Sequence, residues 1–119
     1  MITVKRLFGN AGERIAARYL KRHGYKIIER NYTVQKMGEI DIIAKDREGT
    51  VIFVEVKRRK NDDFSVPSQN VDYNKRKRLT RTANHYIVAN RLAYPTRFDV
   101  IEVTGRKVNH MKGAFYAEK

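Results

Sequence analysis

Three side chains with chemical capacity interrupt two short apolar runs. Gly38-Glu39-Ile40-Asp41-Ile42-Ile43 carries Asp41, and Val51-Ile52-Phe53-Val54-Glu55-Val56-Lys57 carries Glu55 and Lys57. Runs this rich in Val, Ile and Phe read as strands, and such strands need neither two carboxylates nor a lysine to fold. Side chains alternate faces along a strand. Phe53, Glu55 and Lys57 therefore share one face of the second run, and Ile52, Val54 and Val56 the other. In the first run Ile40, Ile42 and Ala44 form the apolar face, opposed by Glu39, Asp41 and Ile43. A one-residue slip would send a whole face the wrong way, so the register must keep the apolar faces together. One register that does so pairs Lys45 with Val51, Asp41 with Glu55, and Glu39 with Lys57. Neighbouring registers of the same parity satisfy the same condition.

Directly opposed residues have Cβ atoms about 4.5–5.5 Å apart. Two carboxylates that close repel, unless one holds a proton or a cation lies between them. A divalent metal such as Mg²⁺ accepts oxygen ligands and keeps several waters. Asp41 and Glu55 would supply two of those ligands. Lys57, on the same face, could orient or deprotonate a water, or stabilise charge on a phosphate under attack. That is equipment for phosphodiester hydrolysis. The competing reading is a solvated edge hairpin with an Asp41–Lys57 or Glu39–Lys57 ion pair, worth about 0–1 kcal/mol.

The surrounding elements must hold these groups in place. Residues 10–23 read as a helix, with Ile15, Ala16, Tyr19 and Leu20 at helical spacing and Gly24 as its stop. Residues 25–34 read as a strand with Ile27 and Ile28 buried, residues 39–45 and 51–57 as the two central strands. Asp46-Arg47-Glu48-Gly49 supplies turn chemistry between them. Residues 61–70 read as a loop, broken by Pro67. Asp72 or Asn74 caps a second helix to about Asn90, with Leu79, Ala83, Tyr86 and Ile87 on its apolar stripe. Residues 97–103 and 107–116 complete the set as strands. The order α-β-β-β-α-β-β predicts an α/β mixed sheet with helices packed against it.

The chain has 119 residues, which suits one domain spanning residues 1–119. Lys and Arg number 26 against 13 Asp and Glu, a net charge of +13. Such an excess points to a polyanionic partner, nucleic acid before an anionic membrane. The absence of cysteine excludes disulfides and thiolate metal sites. There is no membrane-span-length apolar run and no signal-peptide core, so a soluble cytoplasmic protein without a membrane partner is expected.

Together these residues resemble the YraN-type family of small bacterial proteins. The resemblance rests on Gly38-Glu39-Ile40-Asp41, on Phe53-Val54-Glu55-Val56-Lys57 and on Arg97-Phe98-Asp99-Val100. It extends through Gly12-Glu13, Ala16, Ala17, Tyr19, Leu20, Gly24-Tyr25, Asn31, Pro67, Lys75, Arg78 and Ala83. That family is similar to archaeal Holliday-junction resolvases and to the restriction-endonuclease-like PD-(D/E)xK nucleases, whose signature is an Asp followed by Glu-x-Lys. The resemblance implies an αβββαβ core, dependence on Mg²⁺ or Mn²⁺, and endonuclease activity on DNA, branched or structured DNA included. It implies Asp41 and Glu55 as metal ligands, Lys57 as catalytic, and the Val56 carbonyl as a further ligand. It also suggests a homodimer, since two symmetric strands need two active sites. The alternative is a non-catalytic nucleic-acid-binding protein that retains the nuclease fold.

Other positions have two readings each. Glu13 lies three residues after Asn10, as in a capping box, and its charge suits a helix N-terminus. It also shares the sheet-facing side of the helix with Ala16, Ala17 and Leu20, and in resolvase-like nucleases such a Glu reaches the metal. Glu39 reads as an accessory acid paired with a base, and Asp99 as the partner of Arg97. Arg58, Arg59 and Lys60 form one basic run; Lys75 and Arg78 lie in a second, with Arg81 beyond. Positive charge at a helix start opposes the dipole, which favours a phosphate-binding role for Lys75 and Arg78. With no recognition-helix pattern, backbone contact is expected over base reading. His23, His85 and His110 are scattered and read as surface or packing residues.

Overall fold

The computed structural model describes residues 11–59 and 71–117. Helix α1 (Ala11–Arg22) is followed by β1 (Lys26–Val34), β2 (Gly38–Lys45) and β3 (Val51–Arg59). Helix α2 (Tyr73–Ala89), β4 (Thr96–Thr104) and β5 (Lys107–Phe115) complete the chain. The first six elements are the expected αβββαβ core, and β5 extends it at one edge. The sheet has the order β1-β2-β3-β4-β5, antiparallel except for the parallel β3–β4 pair. A parallel pair needs a crossover, and α2 supplies it.

Local chemistry accounts for the boundaries. The Tyr25 N–H donates to the Leu20 carbonyl at 2.9 Å across Gly24, whose φ of 87° suits a helix-ending glycine. A Cβ there would run into the Arg47 side chain. Asp72 caps α2 by accepting from the Lys75 N–H at 2.8 Å. Asp46 Oδ1 accepts from the N–H groups of Glu48 and Thr50, both at 2.9 Å, which closes the β2–β3 turn. The Asn10 cap of α1, Lys60 and Pro67 lie outside the described residues.

Apolar clusters cover both faces of the sheet. Toward α1, Ala16 and Leu20 pack on Ile42, Ile52, Val54, Ile101 and Val103. Toward α2, Leu79, Ala83 and Tyr86 pack on Ile43, Phe53, Phe98 and Val100. The face that carries Glu55 and Lys57 is therefore a second core face, with its acids at one end. Two expectations change. Ile28 is 40% exposed, because a bulge between Ile27 and Glu29 turns it outward. Ile40 packs on the α2 side, away from Ile42. Between the pairs Arg30–Ile42 and Tyr32–Ile40 sits Asn31 at φ 53°, so strict alternation fails at this step.

Candidate active site

The β2–β3 ladder runs from Lys45–Val51 to Ile42–Val54, one of the registers that parity allows. It stops one step short of Asp41 and Glu55. Neither these two nor Glu39 and Lys57 become ladder pairs. Where the next backbone bond would fall, the Val56 N–H donates to Asp41 Oδ2 at 2.8 Å. A cavity of about 200 Å³ opens here, lined by Gly38, Glu39, Asp41, Glu55, Lys75, Arg78 and Leu79. Gly38 is needed for close approach, since a Cβ would sit 2.8 Å from Thr82 Oγ1 and 3.6 Å from the Arg78 carbonyl. This lets the start of β2 lie against α2 and brings Arg78 to the cavity.

Glu13, Glu39 and Asp41 each place a carboxylate oxygen within 4.8 Å of the others. Glu13 and Asp41 are buried, at 5% and 8% exposure. Asn31 ties the group together: with its amide turned to donate, it reaches Glu39 Oε1 and Glu13 Oε2, both at 3.0 Å. Arg30 Nη2 lies 3.9 Å from Glu13 Oε2. Burial first, then the charge of Glu55, pushes the Asp41 carboxyl up to about 7. The Val56 N–H opposes that shift, and Glu13 and Glu39 add to it. A donor set made of carboxylate oxygens, one of which resists ionising by itself, suits a hard divalent cation. The cluster could bind a metal ion.

Glu55 lines the same cavity but is engaged by Lys75, whose Nζ lies 2.6 Å from Glu55 Oε1. The charge of Lys75 at the start of α2 is thus offset by an acid across the cavity. Lys57 is half-buried on the same face. Burial and the neighbouring Lys75 pull its ammonium below the usual lysine range, while Glu55, Glu102 and Asp72 work the other way.

The basic residues divide. Strand alternation sends Arg58 toward α1, where its side chain packs near Gly12. Arg59 turns to the other face and pairs with Glu102 Oε1 at 3.3 Å. Arg81 is exposed on α2. Lys75 and Arg78 reach the cavity, Arg58 and Arg59 are not among its lining residues, and Lys60 lies outside the described residues. Glu39 joins Glu13 and Asp41 in the acid cluster. Asn31 was missed; the signal available was an Asn in a strand, since Asn is the residue that tolerates positive φ.

Asp99 forms the expected pair with Arg97, Nε to Oδ1 at 2.7 Å and Nη2 to Oδ2 at 2.9 Å. The Gly113 N–H donates to Oδ1 at 2.9 Å. His110 Nε2 lies 2.7 Å from Oδ2 and, facing a carboxylate, carries the proton. His110 is thus a nearly buried member of this network, with its side chain 4% exposed, the packing alternative of the two that its sequence position left open.

No described helix is long and apolar enough to cross a membrane. The chain is 45% identical over 108 residues to a UPF0102 protein of Thermodesulfovibrio yellowstonii, covering 91% of this chain and 95% of that one. It is 48% identical over 110 residues to a UPF0102 protein of Clostridioides difficile, covering 90% and 95%. Among solved structures it is similar to a repair endonuclease from Pyrococcus abyssi, at 18% identity and a TM-score of 0.48, covering 77% of this chain. It is also similar to EndoMS in a complex with dsDNA, at 16% identity and a TM-score of 0.42, covering 80%. The chain spans 38% of each of those two proteins. Residues 12–103 match the Uncharacterised protein family UPF0102, and the chain belongs to that family, the YraN-type family its motifs resemble.

Proposed function

We propose that the protein is a Mg²⁺- or Mn²⁺-dependent nuclease that hydrolyses phosphodiester bonds in nucleic acid. The observation that carries this reading is the cluster of Glu13, Glu39 and Asp41 carboxylates, of which Glu39 and Asp41 line a cavity together with Glu55, Lys75 and Arg78. Asp41, Glu55, Glu13 and the Val56 carbonyl are the proposed metal ligands, with Glu39 added by the geometry. When bound, the cation supplies positive charge for the phosphate and acidifies water. Lys57, its ammonium already below the usual range, holds a proton near the reacting phosphate and stabilises charge that develops there. Lys75 and Arg78 orient the phosphodiester from the helix side. DNA as substrate, branched or structured DNA within that, follows from the resemblance, as does a homodimer.

The second reading, a nucleic-acid-binding protein without cleavage, is favoured by one observation. Lys75 sits 2.6 Å from Glu55 and already neutralises a proposed ligand. The deciding experiment incubates the full chain with labelled single-stranded, duplex and branched DNA in Mg²⁺ or Mn²⁺. Cleavage that disappears in both Asp41→Ala and Lys57→Ala supports the nuclease. Binding with strong salt dependence and no cleavage under either metal supports the alternative.

A further inference from the structure

A second cavity, of about 610 Å³, lies between α1 and β5, away from the acids. Ile15, Arg18, Tyr19, Arg22, His23, Arg106 and Val108 line it. Its size falls within the range of about 300–1,000 Å³ typical of pockets that take small organic ligands. No lining residue is a carboxylate, and Arg18, Arg22 and Arg106 make no ion pair among the described residues. A guanidinium cluster with no acid among its described lining residues is a site short of anions.

The floor is as distinctive as the rim. The Tyr19 ring lies against His23 with centroids 4.1 Å apart, and meets His110 edge-on at 5.5 Å. Its hydroxyl lies 3.3 Å from His110 Nδ1. The far nitrogen of that imidazole is held by Asp99, which Arg97 and Gly113 hold in turn. A surface tyrosine is normally free to rotate; this one is fixed from beneath by a buried network. Ile15 and Val108 add apolar side chains to the same lining. Apolar and aromatic side chains beside three guanidinium groups match a nucleobase with its phosphates. An acidic peptide would satisfy the arginines but leave the fixed aromatic floor without a partner.

We propose that the α1–β5 cavity holds one unpaired nucleotide of a nucleic-acid strand, its base on Ile15, Tyr19 and Val108 and its phosphates on Arg18, Arg22 and Arg106. This rests on the reading that the protein binds nucleic acid, and extends it. The strand would be gripped at a place distinct from the acidic cavity, which favours substrates with single-stranded character.

The test measures fluorescence anisotropy of the full chain in EDTA, with a labelled oligothymidylate and a labelled blunt duplex of equal length. The variant Arg18→Gln/Arg22→Gln/Arg106→Gln is compared with Arg47→Gln/Arg91→Gln/Lys112→Gln, which removes the same charge from exposed residues elsewhere. Expected are a weakening of about tenfold or more in oligothymidylate affinity and a salt slope shallower by about 1.4, since each of the two phosphates flanking the held nucleotide removes roughly 0.7 from the slope when no longer neutralised. The charge control should weaken much less, and the cavity variant should hold the duplex nearly as well as the control does. Tyr19→Leu should weaken the oligothymidylate with an unchanged salt slope, because it removes stacking and no charge. Equal weakening in cavity variant and control, or displacement of the strand by polyglutamate as readily as by a mononucleotide, would overturn the proposal. If the parent binds neither probe, the nucleic-acid reading fails with it; if the parent binds and the cavity variant is unchanged, only this inference fails.

Discussion

Asp41 and Asp99 are both buried, at 8% and 0% exposure, and their surroundings treat the same carboxyl group in opposite ways. Asp99 receives a bidentate guanidinium, an imidazole N–H and a backbone N–H. Burial alone would push it up, but His110, Arg97 and Gly113 together hold it below the ordinary carboxylate range. Asp41 receives one backbone N–H and faces Glu55, Glu13 and Glu39, so it rises to about 7. Burial is common to both; the supply of donors is what differs. A buried acid with every lone pair engaged is part of the framework. A buried acid among other acids is stable only when neutral or when a cation joins it.

The largest effects should separate the two residues by kind. Asp41→Ala is expected to lower metal-dependent cleavage by about two or more orders of magnitude, the scale on which one well-placed electrostatic group acts. In EDTA at neutral pH its melting temperature should be no lower than the parent's. A variant that melts early and cuts normally would make Asp41 a structural acid like Asp99. The converse holds for Asp99→Ala, which strands Arg97 and removes the acceptor of His110. Breaking a buried pair from one side costs about 3–5 kcal/mol. Urea denaturation should show that destabilisation, while cleavage per folded molecule stays near the parent's.

The pH dependence should diverge next. The folded Asp41 carboxyl titrates at about 7, against an ordinary value of 3.8. Its contribution to stability is complete below the ordinary value and is lost as pH rises through about 7. In EDTA the parent should therefore weaken relative to Asp41→Asn across that window, by on the order of 4 kcal/mol at most. Saturating Mn²⁺ should close the gap, because the cation favours the ionised acid. Asp99 has the opposite sign: its depressed value contributes stability above the ordinary carboxylate range that is lost on the acid side. Melting curves of parent and Asp41→Asn against pH, with and without Mn²⁺, check both limbs.

Much of this comparison was legible in the amino-acid order. The Lys45–Val51 register is one of those that parity allowed, and each helix lies where its apolar stripe put it, the second behind its Asp72 cap. The convergence of Asp41 and Glu55 on one cavity followed from the same alternation, and Glu13 followed from the sheet-facing side of α1. What stayed hidden depended on breaks in regularity or on long-range pairing. Strict alternation fails beside Asn31, where Ile40 packs contrary to the simple pattern. His110 meets Asp99 only because β5 folds back on β4 with Ile101 opposite His110. Three scattered histidines carry no sign of that. The run Arg58-Arg59 looked like one patch, yet consecutive strand residues must face opposite ways.

Lys75 gives the smallest and most discriminating test, because it makes Glu55 resemble Asp99 in having a cation beside it. The pair is short at 2.6 Å, but the lysine side chain is 40% exposed, so solvent screens it and it contributes under about 1 kcal/mol. Lys75→Gln should hardly move the melting temperature. It should, however, leave the cavity more negative by one charge and free Glu55 for a cation. Mn²⁺ affinity, read by calorimetry, is then expected to rise several-fold, while affinity for DNA falls because one cation fewer faces the phosphates. A rise in metal affinity with intact stability would mean that Lys75 holds the place of a cation that the acids are built to receive. Unchanged metal affinity would mean that Glu55 belongs with Asp99 as an acid already satisfied by its protein partner, and would leave Glu13, Glu39 and Asp41 to hold the ion without it.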